Sequence, residues 1–357
     1  MNSLLACHVA EPAPMGSYRP EEVTFLLKDL SQYAIEDVYE YTPPKAYMDL
    51  FYSTLKEQAR KVALTVGIVS ELIYARHGER TVLASIRRDG TPIGVLIKRY
   101  LQLVHDVDLP HYSFSILRPH VDQNALIYML QRHPDYHIQF IDSWTGKGAT
   151  RRVLTDVVKS FNATYGTNLQ DDIAVLADIG HCSSTFGTRD DFLIPSALLN
   201  AHVNGLISKS VMQEDLIGPG DFHGARYYRE WAEDDVSHVF VDTIAAEFAH
   251  ITEEARRQAE AWIANPQYMK ETWQGLHNLQ ELMRQYGIDD NTFLKPGVGE
   301  TTRVLLIQSP WKVLVKRPDD PYIRHILHLA AERGVPVEVD PDLTFACCAI
   351  IKPEAGV

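Results

Sequence analysis

A chain of 357 residues is too long for one ordinary domain and points to two or three. A hydrophobic share of 45% beside 23% charged residues excludes a disordered chain and predicts a packed core. A net charge of −13 excludes a surface given wholly to nucleic acid, leaves room for a local basic patch, and favours small-molecule partners with a bridging metal where the ligand is anionic.

Residues 1–20 read as a loose leader, and "MNSLLACHVAEPAPMG" lacks the basic and apolar regions of a signal peptide. From Lys45 to His77, Phe51, Leu55, Ala59, Val62, Val66 and Val69 recur at helical spacing. An alternating order follows. Thr81–Ile86 is a buried-strand candidate, and "RRDGTPIG" is a loop opening a helix over Pro92–Val104, with Pro well placed in its first turn. His111–Leu117 reads as a strand and "NALIYMLQRH" as a helix. Tyr136–Asp142 is a strand, Ala149–Thr164 a helix, and Asp172–Gly180 a strand. This alternation predicts a parallel α/β sheet with flanking helices, whose ligands bind at the carboxyl ends of the strands. Loops 87–92, 142–150 and 178–190 then share one rim.

Residues 240–286 read as mostly helical, broken near Asn265-Pro266, and Tyr286–Gly297 as a boundary. In the small α/β unit beyond it, "TRVLLIQS", "KVLVKR" and "TFACCAIIK" are strand candidates, with a helix ending at Gly334. The expected domains are a sheet domain over 21–245, a helical connector over 246–292 and a small domain over 293–357. No segment approaches the roughly 20 apolar residues of a membrane helix. Cys7, Cys182, Cys347 and Cys348 form no CxxC pair, which argues against a zinc ribbon. So few cysteines fit a reducing compartment, and a cytoplasmic location is expected.

The most informative stretch is "IQFIDSWTGKGATRR", Ile138–Arg152. It is not a nucleotide P-loop, because Ile141 stands where the first glycine belongs and Gly148 follows Lys147. It lacks the third glycine of a dinucleotide fingerprint. A strand-end carboxylate followed by small residues and a helix start suits a ribose phosphate instead. Asp142 with Ser143 would hold the sugar hydroxyls. Thr145, Gly146, Lys147, Gly148, Ala149 and Thr150 would cradle the phosphate. Arg87, Arg88, Asp89 and Gly90 form a second phosphate-binding candidate, since a guanidinium fork suits a phosphate chain.

The strand, acid and Gly/Thr loop resemble the signature of type I phosphoribosyltransferases, although Ser143 stands where many members carry a second acid. More widely, "ASIRRDGTPIGVLIKRYL", "FIDSWTGKGATRRVL", "HCSSTFGTRDDFLIPSALLNAHVNGLISKSV" and "FHGARYYREW" are similar to bacterial phosphoribosyltransferase-like proteins of tellurite-resistance and stress operons. "LKPGVGETTRVLLIQSPWKVLVKR" with "LAAERGVPVEVDP" resembles the Pelota-type, L7Ae-like RNA-binding domain that follows in them. The resemblance implies a phosphoribosyltransferase using 5-phosphoribosyl 1-diphosphate and Mg²⁺, acting on a base-like or nucleoside-like acceptor. Its catalytic residues would be Asp142 and Arg88, and the resemblance implies that Arg87, Arg88, Asp89 and Gly90 hold the pyrophosphate. His181, Cys182, Arg189, Asp190 and His223 are acceptor-site candidates, and no side chain is assigned directly to the metal. For RNA the candidates are Lys295, Arg303, Lys312 and Lys316. A homodimer is also an open expectation. Two rival readings stay open: a non-catalytic sensor of a nucleotide or sugar phosphate with an RNA-binding tail, and a cysteine protease or thiol hydrolase using Cys182.

Overall fold

The computed structural model describes residues 4, 7–33, 40, 42–117, 120–213 and 215–352; the last five residues of the expected small domain lie outside them. The larger sheet contains β1 (Thr24–Phe25), β3 (Thr81–Ile86), β4 (His111–Phe114), β7 (His137–Thr145), β8 (Ile173–Asp178) and β9 (Thr185–Thr188). Its order is β1-β4-β3-β7-β8-β9, and its pairs are parallel. Every residue of β3 and β8 is buried, as expected for strands covered on both faces. α1 (Lys45–His77) and α2 (Gly90–His105) pack on the sheet's strands, α5 (Ser237–Ala245) packs on both of these helices and α6 (Phe248–Ala264) on α1, and α3 (Gln123–Arg132) and α4 (Ala149–Tyr165) are the unit's remaining helices. Short pairs β2 (Lys28–Asp29) with β10 (Gly224–Ala225), and β5 (Ile116–Leu117) with β6 (His120–Val121), form two separate ribbons.

The order reverses direction between β3 and β7. In an open α/β sheet that reversal leaves a crevice outside the carboxyl ends of the two strands. The loops leaving β3 and β7 therefore meet there, as expected from sequence. Within the expected leader Met15 and Tyr18 are buried, and the Tyr18 hydroxyl donates to the Val203 carbonyl at 3.0 Å, while Glu11 and Pro14 are exposed.

α7 (Gln274–Tyr286) leads to a second sheet of β11 (Leu294–Pro296), β12 (Lys312–Val315), β13 (Val337–Val339) and β14 (Cys347–Ile350). Its order is β11-β14-β12-β13, antiparallel except for β12 and β13. α8 (Gly297–Ile307) and α9 (Arg324–Glu332) pack with it. The "TRVLLIQS" run is thus mostly helix rather than strand. A short apolar run fits either period. Here Val298, Thr301, Thr302 and Leu305 recur on one buried face, and the Thr302 hydroxyl turns back to the Val298 carbonyl at 2.6 Å.

Candidate functional site

The two sheets meet at the rim. Between them lies a cavity of about 440 Å³, lined by Asp89, Asp142, Trp144 and residues 145–151 on one side. Lys295, Glu300 and Arg303 close it from the other. Strand β7 continues to Thr145, three residues beyond the expected end at Asp142, so the loop proper starts at Gly146. Alternation along the strand places Asp142 and Trp144 toward the cavity and Ser143 toward the interior. The Ser143 hydroxyl is buried with no hydrogen-bond partner among the described residues. The Thr145 hydroxyl is turned to Asp178 at 2.7 Å and also accepts the Gly180 N–H at 3.1 Å. It braces two strands rather than a ligand. Lys147 donates to the Asn291 carbonyl at 2.9 Å, tying the loop to the C-terminal unit. Asp142, Gly146, Gly148, Ala149 and Thr150 line the cavity.

The arginine loop divides. Arg87 is buried and donates to the Ser210 hydroxyl at 2.8 Å and the Ser208 carbonyl at 2.7 Å. Burial and its neighbour Arg88 lower its pKa to about 9. Arg88 is ion-paired with Glu40 and donates to Asn200 at 3.1 Å. Asp89 alone of these four side chains reaches the cavity wall, 3.7 Å from Arg303. Gly90 opens α2 directly beside Ile141 and Asp142, where a Cβ would fall 2.5 Å from the Ile141 carbonyl oxygen. His223 lies elsewhere, its N–H held by Asp122 at 2.6 Å and its ring beside Ser115 at 3.1 Å.

At the end of β8, Asp178 organises the bend that carries the buried Cys182. Its Oδ1 accepts the Thr145 hydroxyl, the Cys182 N–H at 2.9 Å and the Ser183 N–H at 3.2 Å. Arg189 faces its other oxygen at 3.4 Å. Burial raises the Asp178 pKa to about 6 against these bonds. Burial, followed by the Asp178 charge, pushes the Cys182 thiol up to about 12, so the sulfur here is a thiol. His181, in the left-handed region at φ 54°, turns toward a groove shared with His277 and Lys316. Burial and the charges of Arg189 and Lys316 lower its pKa to about 4, leaving the ring neutral at pH 7. Among the described residues no histidine hydrogen-bonds the Cys182 sulfur, and no group of three His, Cys, Asp or Glu side chains is gathered as a metal site.

The segment leading into α7 lies over this bend, a contact absent from the sequence reading. The N–H groups of Thr272 and Trp273 both donate to the His181 carbonyl, at 3.0 and 2.9 Å, and Gly275 donates to the Gly180 carbonyl at 3.2 Å. Arg189 holds the carbonyls of Tyr268 and Lys270 at 2.9 and 2.8 Å, and Arg151 faces Glu271 at 3.6 Å. Trp273 takes a left-handed conformation at φ 58°, which strains a non-glycine residue by about 1–3 kcal/mol and persists only where its surroundings hold it. Gly148 makes room for its ring: a Cβ there would stand 2.5 Å from Trp273 Cζ3 and 3.4 Å from Cys182 Sγ. Asp190 serves another contact, an ion pair with Lys61 at 2.7 Å.

The basic residues of the C-terminal unit also divide. Lys295 and Arg303 face the rim cavity. Lys316 lines the His181 groove. Lys312 pairs with Glu338 at 2.6 Å and lies 4.3 Å from the ring centre of Trp311, which is 40% exposed. No described helix is long and apolar enough to cross a membrane.

A family model described as tellurite-like stress resistance cysteine protease StiP matches residues 38–245. A second, described as PELOTA RNA binding domain, matches residues 273–353. A relative from Acinetobacter baylyi (strain ATCC 33305 / BD413 / ADP1), named cysteine protease StiP, is 29% identical over 354 residues, covering 92% of this chain and 91% of its own. These matches bear out the resemblance to tellurite- and stress-linked proteins with a Pelota-type tail. They overturn the transferase reading with its 5-phosphoribosyl 1-diphosphate substrate. A phosphate-type rim loop is a feature of scaffold, and scaffolds of one kind carry unrelated chemistries. The rival reading through Cys182 fits the matches better.

Proposed function

The chain belongs to the tellurite-like stress resistance cysteine protease StiP family, and from that premise we propose that it is a thiol peptidase with Cys182 as nucleophile. One observation carries the assignment: Cys182 is the single cysteine within the matched residues 38–245. It also stands at the carboxyl end of a central parallel strand, where such sheets place their sites. The thiolate would attack a peptide carbonyl carbon, the amine would leave with a proton, and water would then release the acyl group from sulfur. Asp178 fixes the main chain around the sulfur. The neutral His181 is the adjacent group able to take the thiol proton once the bend is open. In the form described, the thiol is protonated and covered, so the site is latent. The test is hydrolysis of an unfolded protein such as casein by the full chain and by Cys182→Ser. Equal rates would overturn the assignment.

The finer fold expectation belongs to the same proposal: a type I phosphoribosyltransferase-like scaffold put to peptidase use, with a Pelota-like unit behind it. The β4-β3-β7-β8-β9 order and the rim loops support it. A second observation favours an anionic ligand beside the thiol. The rim cavity gathers Lys147, Arg151, Lys295 and Arg303 around the start of α4, against the carboxylates Asp89, Asp142 and Glu300. A phosphate-bearing ligand fits this set. Titration calorimetry with ribose 5-phosphate tests it; no heat with the native chain, or equal heat with Lys147→Ala, would reject it. RNA binding by residues 273–353 is proposed on the second family match.

A further inference from the structure

We propose that residues 271–275 form an autoinhibitory strap over Cys182, released only when the C-terminal unit shifts from the rim; this rests on Cys182 being the nucleophile. The strap is held by main-chain bonds to the cysteine's own bend. Thr272 and Trp273 donate to His181, and Gly275 donates to Gly180, so His181 and Gly180 cannot move freely while it is seated. A Cβ on Gly148 would stand 2.5 Å from the Trp273 ring and at ordinary contact distance, 3.4 Å, from the Cys182 sulfur, so the indole and the thiol flank the same small space. The fit is close along its length: a Cβ on Gly275 would fall 2.7 Å from Gly180 Cα.

The strap is also continuous with the unit that would move. It begins where Arg189 grips Tyr268 and Lys270, and it runs into α7, at the start of the residues matched as RNA-binding. Beyond α7, the Lys147 bond to Asn291 and the Asp191 bonds to Val298 and Ala346 hold the C-terminal unit to the same rim. Lifting the unit draws the strap with it. Thr272 is exposed and Trp273 half-buried, so the strap can be displaced without opening the core.

The experiment is iodoacetamide alkylation of the folded full chain, read cysteine by cysteine by peptide mass spectrometry. Trp273→Ala removes the cover, and Gly275→Ala forces the strap off from its other end without touching the indole or the thiol. Both should raise the Cys182 rate by about tenfold or more, as local opening does, while Cys347 and Cys348 stay protected. An unchanged Cys182 rate in both variants overturns the strap. So does a rise shared with Cys347 and Cys348, which would mark general unfolding. Casein hydrolysis by the same variants separates the two ideas: faster alkylation without faster hydrolysis leaves the strap standing and removes the peptidase assignment.

Discussion

The carboxylate of Asp191 accepts the main-chain N–H of Val298 at 2.8 Å, across the junction between the two sheets. Its other oxygen accepts Ala346 N–H at 2.9 Å, so one half-buried acid on the rim ties the first turn of α8 and the residue before β14 at once. Burial raises its pKa to about 7, against the two hydrogen bonds. The folded chain therefore holds a proton there that the unfolded chain releases near 3.8, and the stability contributed by this group falls as pH rises from about 4 through about 7. Asp191→Asn should flatten that slope and lower overall stability by about 1–3 kcal/mol, because its amide nitrogen would face a main-chain donor. Thermal unfolding between pH 5 and 8 checks both; an unchanged slope would assign it to other groups.

Cys182→Ser should reduce peptide hydrolysis by about a thousandfold or more, since a serine hydroxyl beside a neutral ring is a far weaker nucleophile than a thiolate. Stability should change by less than about 1.5 kcal/mol, because the replacement keeps the shape. Paired rate and melting measurements separate loss of chemistry from loss of fold.

Asp178→Ala should be among the most damaging single changes in the rim. It strips three donors of their acceptor and leaves Arg189 facing an empty, buried position. A loss of about 3–5 kcal/mol is expected for one partner removed from a buried pair. Urea unfolding measures it; a loss below about 1 kcal/mol would show that the bend is held by its other contacts.

Trp311→Ala should weaken binding of a single-stranded RNA by about 1–3 kcal/mol, the range for loss of one stacking platform. The exposed indole has Lys312 and Lys352 over it, at 4.3 and 5.9 Å, and Tyr286 at its edge. Fluorescence anisotropy at fixed salt reads the change. Unaltered affinity would place RNA on another face.

Much of the fold is legible in the chain. The helix over Lys45–His77 follows directly from apolar recurrence at one period, and the β3 and β8 runs from unbroken burial on both faces. The α8 run was misread because four consecutive apolar residues satisfy both periods; the deciding factor, packing against β14 and α9, lies outside the run. Within the site, Asp142 and the 146–150 loop were readable as rim, because strand order alone brings them there. Their uses were not. Lys147 lines the cavity and also bonds Asn291, while Gly148 admits Trp273, contacts with residues well over a hundred positions away that no local pattern announces.

The sequence by itself determined most elements of the first unit, their parallel order and the single cysteine near its rim. Each follows from short-range spacing or from composition. Only the tertiary structure decided that Cys182 is buried, that His181 lines a separate groove, and that Trp273 packs against Gly148 beside the sulfur. These depend on burial and on main-chain bonds between remote segments. A thiol's proton affinity and a tryptophan's resting place are set by what surrounds them in space.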